Sequence, residues 1–492
     1  MAVTEAQVKL WLKNNTAKRR VLVEVGVRVG GVEVTRYLSN KGYRTGASDV
    51  PANTNYISCI SSGVTFTESI SLEGVARPLS SGVIAVDNTD GSFDSWYSDV
   101  WQGRPIKIFI GDYSWPRADF YQIFGGVIAK ADCTSREQFE LVVSDKLQRL
   151  NTTVSDVKVG GVSSNKDKLK PLLFGQCHNI SPVLINLATL EYQIHNGPID
   201  SIIEVRDNGV PVLYTPNLAQ GTFALNQQPV GTITCSARGD TPTTYANDAV
   251  SLIKRLVKDY GLVGQRFIDS DLDLTALSAF QTLHTQPLGI YLTEKSNVVE
   301  VCNRIASSIG ARMLVTRKGL LTLVKVDLPQ SSAGTSITKA DIEEMSIYVK
   351  ELTPVQAAIK IGYCKNWTPQ EALQTGIPAN HVELFAEEWL TTTVTNSTAA
   401  NNYKLFTDPE MLETLLLTAS LADAEANRLL SLWSTQRRVI SYKGLPHLLL
   451  ETLGSSQTIT NNRFGLAAGV TGQIISITTD WLNAKIEMDV LL

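Results

Sequence analysis

What the chain lacks narrows it first. Its six cysteines, Cys59, Cys133, Cys177, Cys235, Cys302 and Cys364, lie far apart with no Cys-x-x-Cys pair. A metal or redox motif needs close spacing, so buried free thiols in a reducing compartment are the expectation. There is no excess of basic charge: Lys plus Arg number 44 against 48 Asp plus Glu, a net charge of −4. Such a balance gives no global attraction for nucleic acid or an anionic membrane, and leaves only local patches open. No apolar run approaches the roughly 18 residues of a membrane helix. The start, MAVTEAQVKLWLKNNTAKRR, carries its charges after a short mixed segment instead of before an apolar core, unlike a signal peptide. The expectation is a soluble protein that is not exported on its own.

Catalytic signatures are equally scarce. No GxSxG elbow, P-loop or GxGxxG is present. Glu343-Glu344 and Glu387-Glu388 are adjacent pairs whose members point apart, whereas two glycosidase carboxylates must flank one bond about 5–10 Å apart. A glycan-cleaving site assembled from distant residues stays open. Asn88, Asp90 and Gly91 resemble half of a calcium loop, but Val86 and Tyr97 stand where its other carboxylates belong, so a plain turn is expected. Cys177-His178 has no second ligand pair, and His178, His195, His284, His381 and His447 are scattered. KDKLK at Lys166 to Lys170 reads as a solvated turn. No catalytic, cofactor-binding or metal residue is therefore assigned, and no cofactor is expected.

What is present is β-pattern. The 492 residues suggest about three domains. Arg20 to Thr35 alternates valines around Gly30-Gly31, a tight hairpin. Asn40 to Tyr56 reads as a long surface loop, and Val64 to Leu72 as a strand. Gly82 to Val86, Pro105 to Ile110 and Phe139 to Val143 are strands, with turn chemistry over Asp87 to Gly91. Tyr121 to Val127 is another, broken at Gly125-Gly126. These make residues 15–150 a β-domain, sandwich or barrel. Trp96, Trp101, Tyr113 and Trp115 are dense for one loop region, either core anchors or an interface.

After a Gly/Ser/Asn/Lys stretch come short strands at Glu191 to Ile194, Ile202 to Arg206, Val210 to Tyr214, Gly221 to Leu225 and Thr232 to Ser236. Asp207-Asn208-Gly209 turns between two of them, giving a small β-domain over 151–239. Residues 240–328 form an α+β domain. One helix is capped by Thr244 and stopped by Gly261; a second runs from Asn297 to Ile309; a hairpin follows through Arg317-Lys318-Gly319. Pro329 to Gly334 reads as a linker. Ile359 to Tyr363 is a strand, Asn366 to Ala400 is loop-like, and Leu421 to Trp433 is a helix with Leu429, Leu430 and Trp433 inward. Strands return at Gln457 to Thr460, Gly472 to Thr479 and Ala484 to Leu491. A β-pattern left at Tyr363 and resumed near Arg438 suggests one barrel over 337–492 with an insertion at about 364–436.

Several stretches, in this order and spacing, resemble the tail-tip or baseplate hub protein of long-tailed, siphovirus-type bacteriophages. They are TRYLSNKGYRT with PANTNY (Thr35 to Tyr56), VDNTDGSFDSW (Val86 to Trp96), and FGGVIAKAD with SDKLQRLN (within Phe124 to Asn151). YQIHNGPIDSIIEVRDNGVPV (Tyr192 to Val212), GTFALNQQPVGTITCSARGD (Gly221 to Asp240) and RFGLAAGVTGQIISITTDW (Arg463 to Trp481) follow. The resemblance implies a virion structural protein without catalysis, made in the host cytoplasm and located at the tail tip. It implies a mainly β, multidomain fold with α+β parts and two tube-like β-barrels, residues 15–150 and the split unit 337–363 plus 436–492. It further implies a homo-oligomeric ring, usually a trimer, joining the tail tube to the central tip and enclosing the DNA path. The implied neighbours are the distal tail or tube protein, the central tip or fibre protein and the tape measure protein. DNA would pass the bore without specific binding. The net charge of −4 permits a neutral or acidic wall, so Asp, Glu, Ser, Thr and Asn are expected to line the bore, with Lys and Arg at subunit contacts and on the outside. The competing classes are a tail-associated cell-wall or glycan hydrolase and a host-surface binding module.

Overall fold

The computed structural model describes residues 3–14, 16–72, 81–161, 163–327, 334–371 and 373–492. The linker expected at Pro329 to Gly334 falls almost wholly outside them. The chain forms two compact units: Met1–Arg149 with Leu314–Pro354 and Gln436–Leu492, and Leu150–Met313 with Val355–Thr435. The architecture is mainly β, multidomain, with α+β parts.

The first unit is built on one 15-stranded sheet. Its main path runs Tyr348–Leu352, Arg438–Gly444, Lys485–Leu491, Val470–Asp480, Ile60–Ser69, Ser81–Asp87, Gln138–Asp145, Tyr121–Ser135, Pro105–Asp112, Arg19–Val29, Val32–Ser39, Asn55–Ser58 and Tyr43–Arg44. Alternation explains the strands. Val21, Val23, Val25 and Val27 are all buried, as are Ile106, Ile108 and Ile110 opposite them. The first hairpin closes as its sequence requires, with Val29 paired to Val32 and Gly30 and Gly31 at φ 55° and 89°. One apolar core carries residues from both ends of the chain, Val8, Phe66, Ile84 and Leu141 together with Ile440, Tyr442, Ile477, Met488 and Trp481. The helix Glu5–Leu12, begun by a Thr4/Gln7 capping box, buries Val8 and Leu12 in it.

Among the described residues the two expected tube-like halves run on into one another as one sheet, and no closed barrel forms. Thr65, Thr67 and Ser69 pair with Asp480, Thr478 and Ser476, and the two threonine hydroxyls meet at 3.3 Å. Pairing between strands so distant in sequence leaves no local signal. Gly125-Gly126 also does not break its strand, which runs unbroken over Tyr121–Ser135. The glycines serve close approach: a Cβ on Gly126 would sit 2.2 Å from the Ser144 carbonyl oxygen and 2.6 Å from the Phe124 ring. That ring stacks on Phe66 at 4.5 Å. The stretch Asn40 to Tyr56 is only partly loop, since Tyr43 and Tyr56 are buried with Leu22, Phe109 and Phe120.

The second unit is made of smaller sheets. One has five strands, ordered Val210–Pro211, Ser201–Asp207, Ile233–Arg238, Leu172–Ile180 and Gly289–Leu292. Another has four: Val183–Asn186, Glu191–Gln193, Thr222–Leu225 and Tyr214–Asn217. The Asp207-Asn208-Gly209 turn forms as read, with Asn208 and Gly209 both at positive φ. Helices Ala249–Asp259, Leu274–Leu283 and Val298–Ser307 complete this part. The first is capped by Asp248, whose side chain accepts from Ser251 N–H, and not by Thr244.

The strand Ala358–Tyr363 does not join the C-terminal strands of the large sheet. It is the centre of a three-stranded sheet between Leu390–Thr395 and Met411–Glu413, with the helix Ala419–Trp433 packed on it. Its buried Ile359 and Ile361 need cover on their own face, which this helix supplies through Ala422, Ala426 and Leu430; Leu429 and Trp433 are only half-buried. Asn366 to Ala400 is accordingly no simple loop: it holds Ala379–Ala386, Leu390–Thr395 and most of Ser397–Tyr403.

Candidate assembly and conduit surface

Because side chains alternate, the large sheet has a second face opposite the core, and register shows what lies on it. One row reads Ser441, Asp489, Ser476, Ser69; the next Lys443, Glu487, Thr478, Thr67; a third Lys485, Asp480, Thr65, Val83, Val142. Hydroxyls dominate, and each lysine stands across from a carboxylate. Lys443 opposes Glu487 and Lys485 opposes Asp480. Lys350 reaches Asp489 with Nζ 2.7 Å from Oδ2, a contact that raises the lysine's pKa. Further along the sheet this face changes character: Lys107 opposes Glu24 and Arg28 opposes Glu33, but Leu22 opposite Phe109 is buried there with Tyr43, Tyr56 and Phe120, and Glu24 bonds Arg117.

The acids of this face are fixed. Asp480 Oδ1 accepts from the Leu482 and Asn483 N–H groups at 3.1 Å, and Asn483 Nδ2 donates to Oδ2 at 2.7 Å. Ser441 Oγ donates to Glu487 Oε1 at 3.4 Å. These residues were not singled out from sequence, since cross-strand neighbours are invisible until register is known.

The sheet also ends in edges. Among the described residues Tyr348–Leu352 pairs on one side only, with Arg438–Gly444, and it exposes Tyr348 and Leu352 beside Met345, which is 95% exposed. Toward the other end, Val32 to Tyr37 pairs only with Arg19–Val29 among the described residues, and Val32 is 64% exposed. Unpaired edges with apolar side chains are templates for strand addition.

The other candidates resolve into scaffolding. Trp96 and Trp101 are buried core anchors, with Trp101 Nε1 donating to the Trp96 carbonyl at 2.9 Å and the Arg36 guanidinium 4.4 Å from the Trp96 ring. Trp115 packs against Trp11 with ring centroids 4.8 Å apart and planes tilted by 43°, while Tyr113 is exposed. A cleft of about 480 Å³ opens beside Trp96, Tyr97, Trp101 and Phe139. Asn88 is a turn residue, its Oδ1 accepting from Phe93 N–H and its Nδ2 donating to Asp94, both at 2.8 Å. Among the described residues no group of three metal-ligating side chains gathers, at Asn88 or at Cys177-His178. Four cysteines are buried and Cys364 partly so, but Cys133 is exposed, contrary to expectation; burial pushes the Cys59 thiol up to about 12. Lys166 and Lys168 are exposed on a hydrogen-bonded turn.

Two buried charge clusters remain. Arg117 bonds Glu24 at 2.7 Å and Tyr56 at 3.0 Å, its guanidinium 3.7 Å from the Phe109 ring. In the second unit Asp240 meets Arg255 at 2.6 Å, Tyr260 at 3.2 Å and His195 Nε2 at 3.3 Å. His195 Nδ1 accepts from Leu173 N–H at 2.9 Å, so the ring proton sits on Nε2, facing the carboxylate. His195 is fully buried, and through Asp240 the cluster ties Arg255 and Tyr260 to the Leu173 backbone. No helix among the described residues is long and apolar enough to cross a membrane.

No family model matches the sequence, and no curated protein does. Several solved structures align along most of the chain. A tail protein from Neisseria meningitidis MC58 is 11% identical, covers 96% of both chains and gives a TM-score of 0.41. The 43 kDa tail protein of prophage MuSo2 from Shewanella oneidensis is 12% identical over 96% of this chain and 98% of its own, with a TM-score of 0.40. Prophage tail protein gp18 from Listeria monocytogenes EGD-e is 10% identical over 90% and 92%, with a TM-score of 0.34.

Proposed function

We propose that this chain is a structural protein of a long-tailed phage tail tip, a baseplate hub whose copies form a ring, usually of three, around the path of the DNA. The observation that carries the reading is the large sheet itself: two strand-rich halves joined edge to edge, apolar on one face, rich in hydroxyls and balanced charge on the other face around the seam, with edges left unpaired among the described residues. A conduit wall needs such a face, and a ring needs such edges. The tube-like halves are residues 19–145, and 335–352 together with 438–491. Those partners are the distal tail or tube protein, the central tip or fibre protein and the tape measure protein. The chain acts without catalysis or cofactor and without membrane insertion.

Sizing the purified protein by light scattering, with electron micrographs of the same sample, tests this. A ring with a central bore is expected; a monomer at every concentration tried overturns the reading. A hydrolase would instead clear cell-wall suspensions, and clearing abolished by one Asp or Glu substitution would establish that alternative.

A further inference from the structure

Along its N-terminal strands the large sheet carries opposite charge at its two ends. At one end Arg19–Val29 begins and Pro105–Asp112 finishes, with Arg20 across from Gly111. Lys13, Lys18, Lys41 and Arg44 are exposed at this rim, and none of them makes an ion pair among the described residues. Hydrogen bonds fix the backbone that carries them. Arg19 Nη2 donates to the Leu12 carbonyl, next to Lys13, at 3.0 Å; Tyr113 N–H donates to the Lys18 carbonyl at 2.9 Å. Val21 N–H donates to Asn40 Oδ1, beside Lys41, at 3.1 Å, and Tyr43 Oη, beside Arg44, to the Trp115 carbonyl at 2.7 Å. The Arg20 guanidinium lies 5.0 Å from the exposed Tyr113 ring. The carboxylates of this rim, Asp49, Asp112 and Asp119, are half-buried, and the first two accept from backbone N–H groups. Cations therefore hold its exposed surface.

The opposite end is acidic. Asp87 pairs with Gln138, and Asn88 N–H donates to the Glu137 carbonyl at 2.8 Å. Asp87, Asp90, Asp94 and Glu137 are exposed there, with Arg136 as the base of the same turn. The strand Tyr121–Ser135 runs from one end to the other, pairing Tyr121 with Ile110 and Ser135 with Gln138. At about 3.3 Å per residue it spans roughly 45 Å, so the acidic loop cannot reach the basic rim of its own chain. We propose that the two ends meet between copies: the basic rim of one chain receives the Asp87-to-Asp94 loop of a second copy, end to end. Such a head-to-tail contact does not close on itself and adds copies in line along the strands. It is separate from the strand edges and does not depend on the ring.

The test sizes the full chain by light scattering from about 0.01 to 1 M salt, over which the Debye length falls from about 30 to about 3 Å. Copies of net charge −4 repel one another, so a contact without charge complementarity tightens as salt is added. The end-to-end contact has the opposite sign: the mean mass should rise roughly twofold or more at low salt and fall back as salt is added. Lys18→Glu with Lys41→Glu should abolish that rise, as should Asp90→Lys with Glu137→Lys. Mixed in equal amounts, the two variants should regain it, because each reversed end again meets its opposite. Thermal melts check that both are folded; Glu137→Lys alone, on an exposed turn, should reduce the rise where the double change unfolds the chain. A wild type with no low-salt rise overturns the proposal, and so does a mixture that stays apart. A wild type that stays single at low salt yet binds a fluorescent duplex through Lys18 and Lys41 overturns it in favour of nucleic acid. A ring that persists at 1 M salt without low-salt growth keeps the ring and removes this contact; low-salt growth without a ring does the reverse.

Discussion

The two units are held together by different means. In the first, strands reach 15 residues and one apolar core gathers side chains from the beginning and the end of the chain. In the second, no described strand exceeds the 9 residues of Leu172–Ile180, and polar side chains stitch the pieces. Asn179 Nδ2 donates to Asn366 Oδ1 at 2.7 Å and to the Thr368 carbonyl at 2.8 Å; Asn366 Nδ2 in turn donates to the Phe385 and Glu387 carbonyls at 2.9 and 3.1 Å. Asp207 likewise accepts from Val230 and Gly231 N–H groups at 2.6 and 2.8 Å. Long strands hold themselves by area and pairing, about 25 cal/mol per Å² of apolar surface buried. Short segments lack that area and depend on buried hydrogen bonds whose loss leaves unpaired groups.

The first unit holds one exception to this contrast, the buried Arg117 cluster, and it carries the largest expected effect. Arg117→Met leaves Glu24 and Tyr56 without their cation in a largely buried site. A loss of about 3–5 kcal/mol is expected by denaturant unfolding, with Glu24→Gln added to it recovering part. A loss below 1 kcal/mol would place the pair among the expendable surface bridges.

Asn366→Ala should cost about 2–3 kcal/mol. Hydrogen exchange should show the amides of 366–387 losing protection while those of the large sheet keep theirs; uniform loss would contradict the contrast. Next comes Asp240. Burial alone would raise its pKa, but hydrogen bonds from His195 and Arg255, with the latter's charge, more than offset this and hold it below the ordinary value. A carboxylate depressed on folding contributes stability above its unfolded pKa and loses it as pH falls through the folded one. Asp240→Asn should therefore cost about 1–2 kcal/mol at neutral pH, and the gap from wild type in thermal melts should close below about pH 4. A gap that widens on acidification would show the wrong sign.

The smallest effect on stability, within about 0.5 kcal/mol, is expected for Tyr348→Lys with Leu352→Lys on the exposed edge. Assembly, read by light scattering, should nevertheless be lost. Rings formed by this variant would remove that edge from the interface.

The same contrast governs what could be read from sequence. Valine alternation, Gly30-Gly31, Asn208-Gly209 and the Ala-rich helix are local signals and were legible. Leu390–Thr395 was not. Its sequence, LTTTVT, puts threonines on both faces, with Thr391, Thr393 and Thr395 outward and Thr392 and Val394 inward, so no hydrophobic period marks it. Gly125-Gly126 misled because a close approach and a break use the same residue. Of the candidate surface, the hydroxyl content and charge balance were visible in composition, but the pairing of Lys443 with Glu487 is a fact of register alone.

The seam between Ile60–Ser69 and Val470–Asp480 also sets a schedule. Thr67 and Thr478 are separated by 411 residues, which a ribosome adding about 5–20 residues per second needs roughly 20–80 s to make. For that interval Thr65 to Ser69 is an open edge on a half-built wall, able to pair with the same edge of a neighbouring nascent chain. Its side chains over that stretch, TFTES, offer hydroxyls, a carboxylate and a single phenyl ring to such a visitor, a poor composition for a lasting mispair. The strand that waits longest for its partner is thus among the least adhesive while it waits.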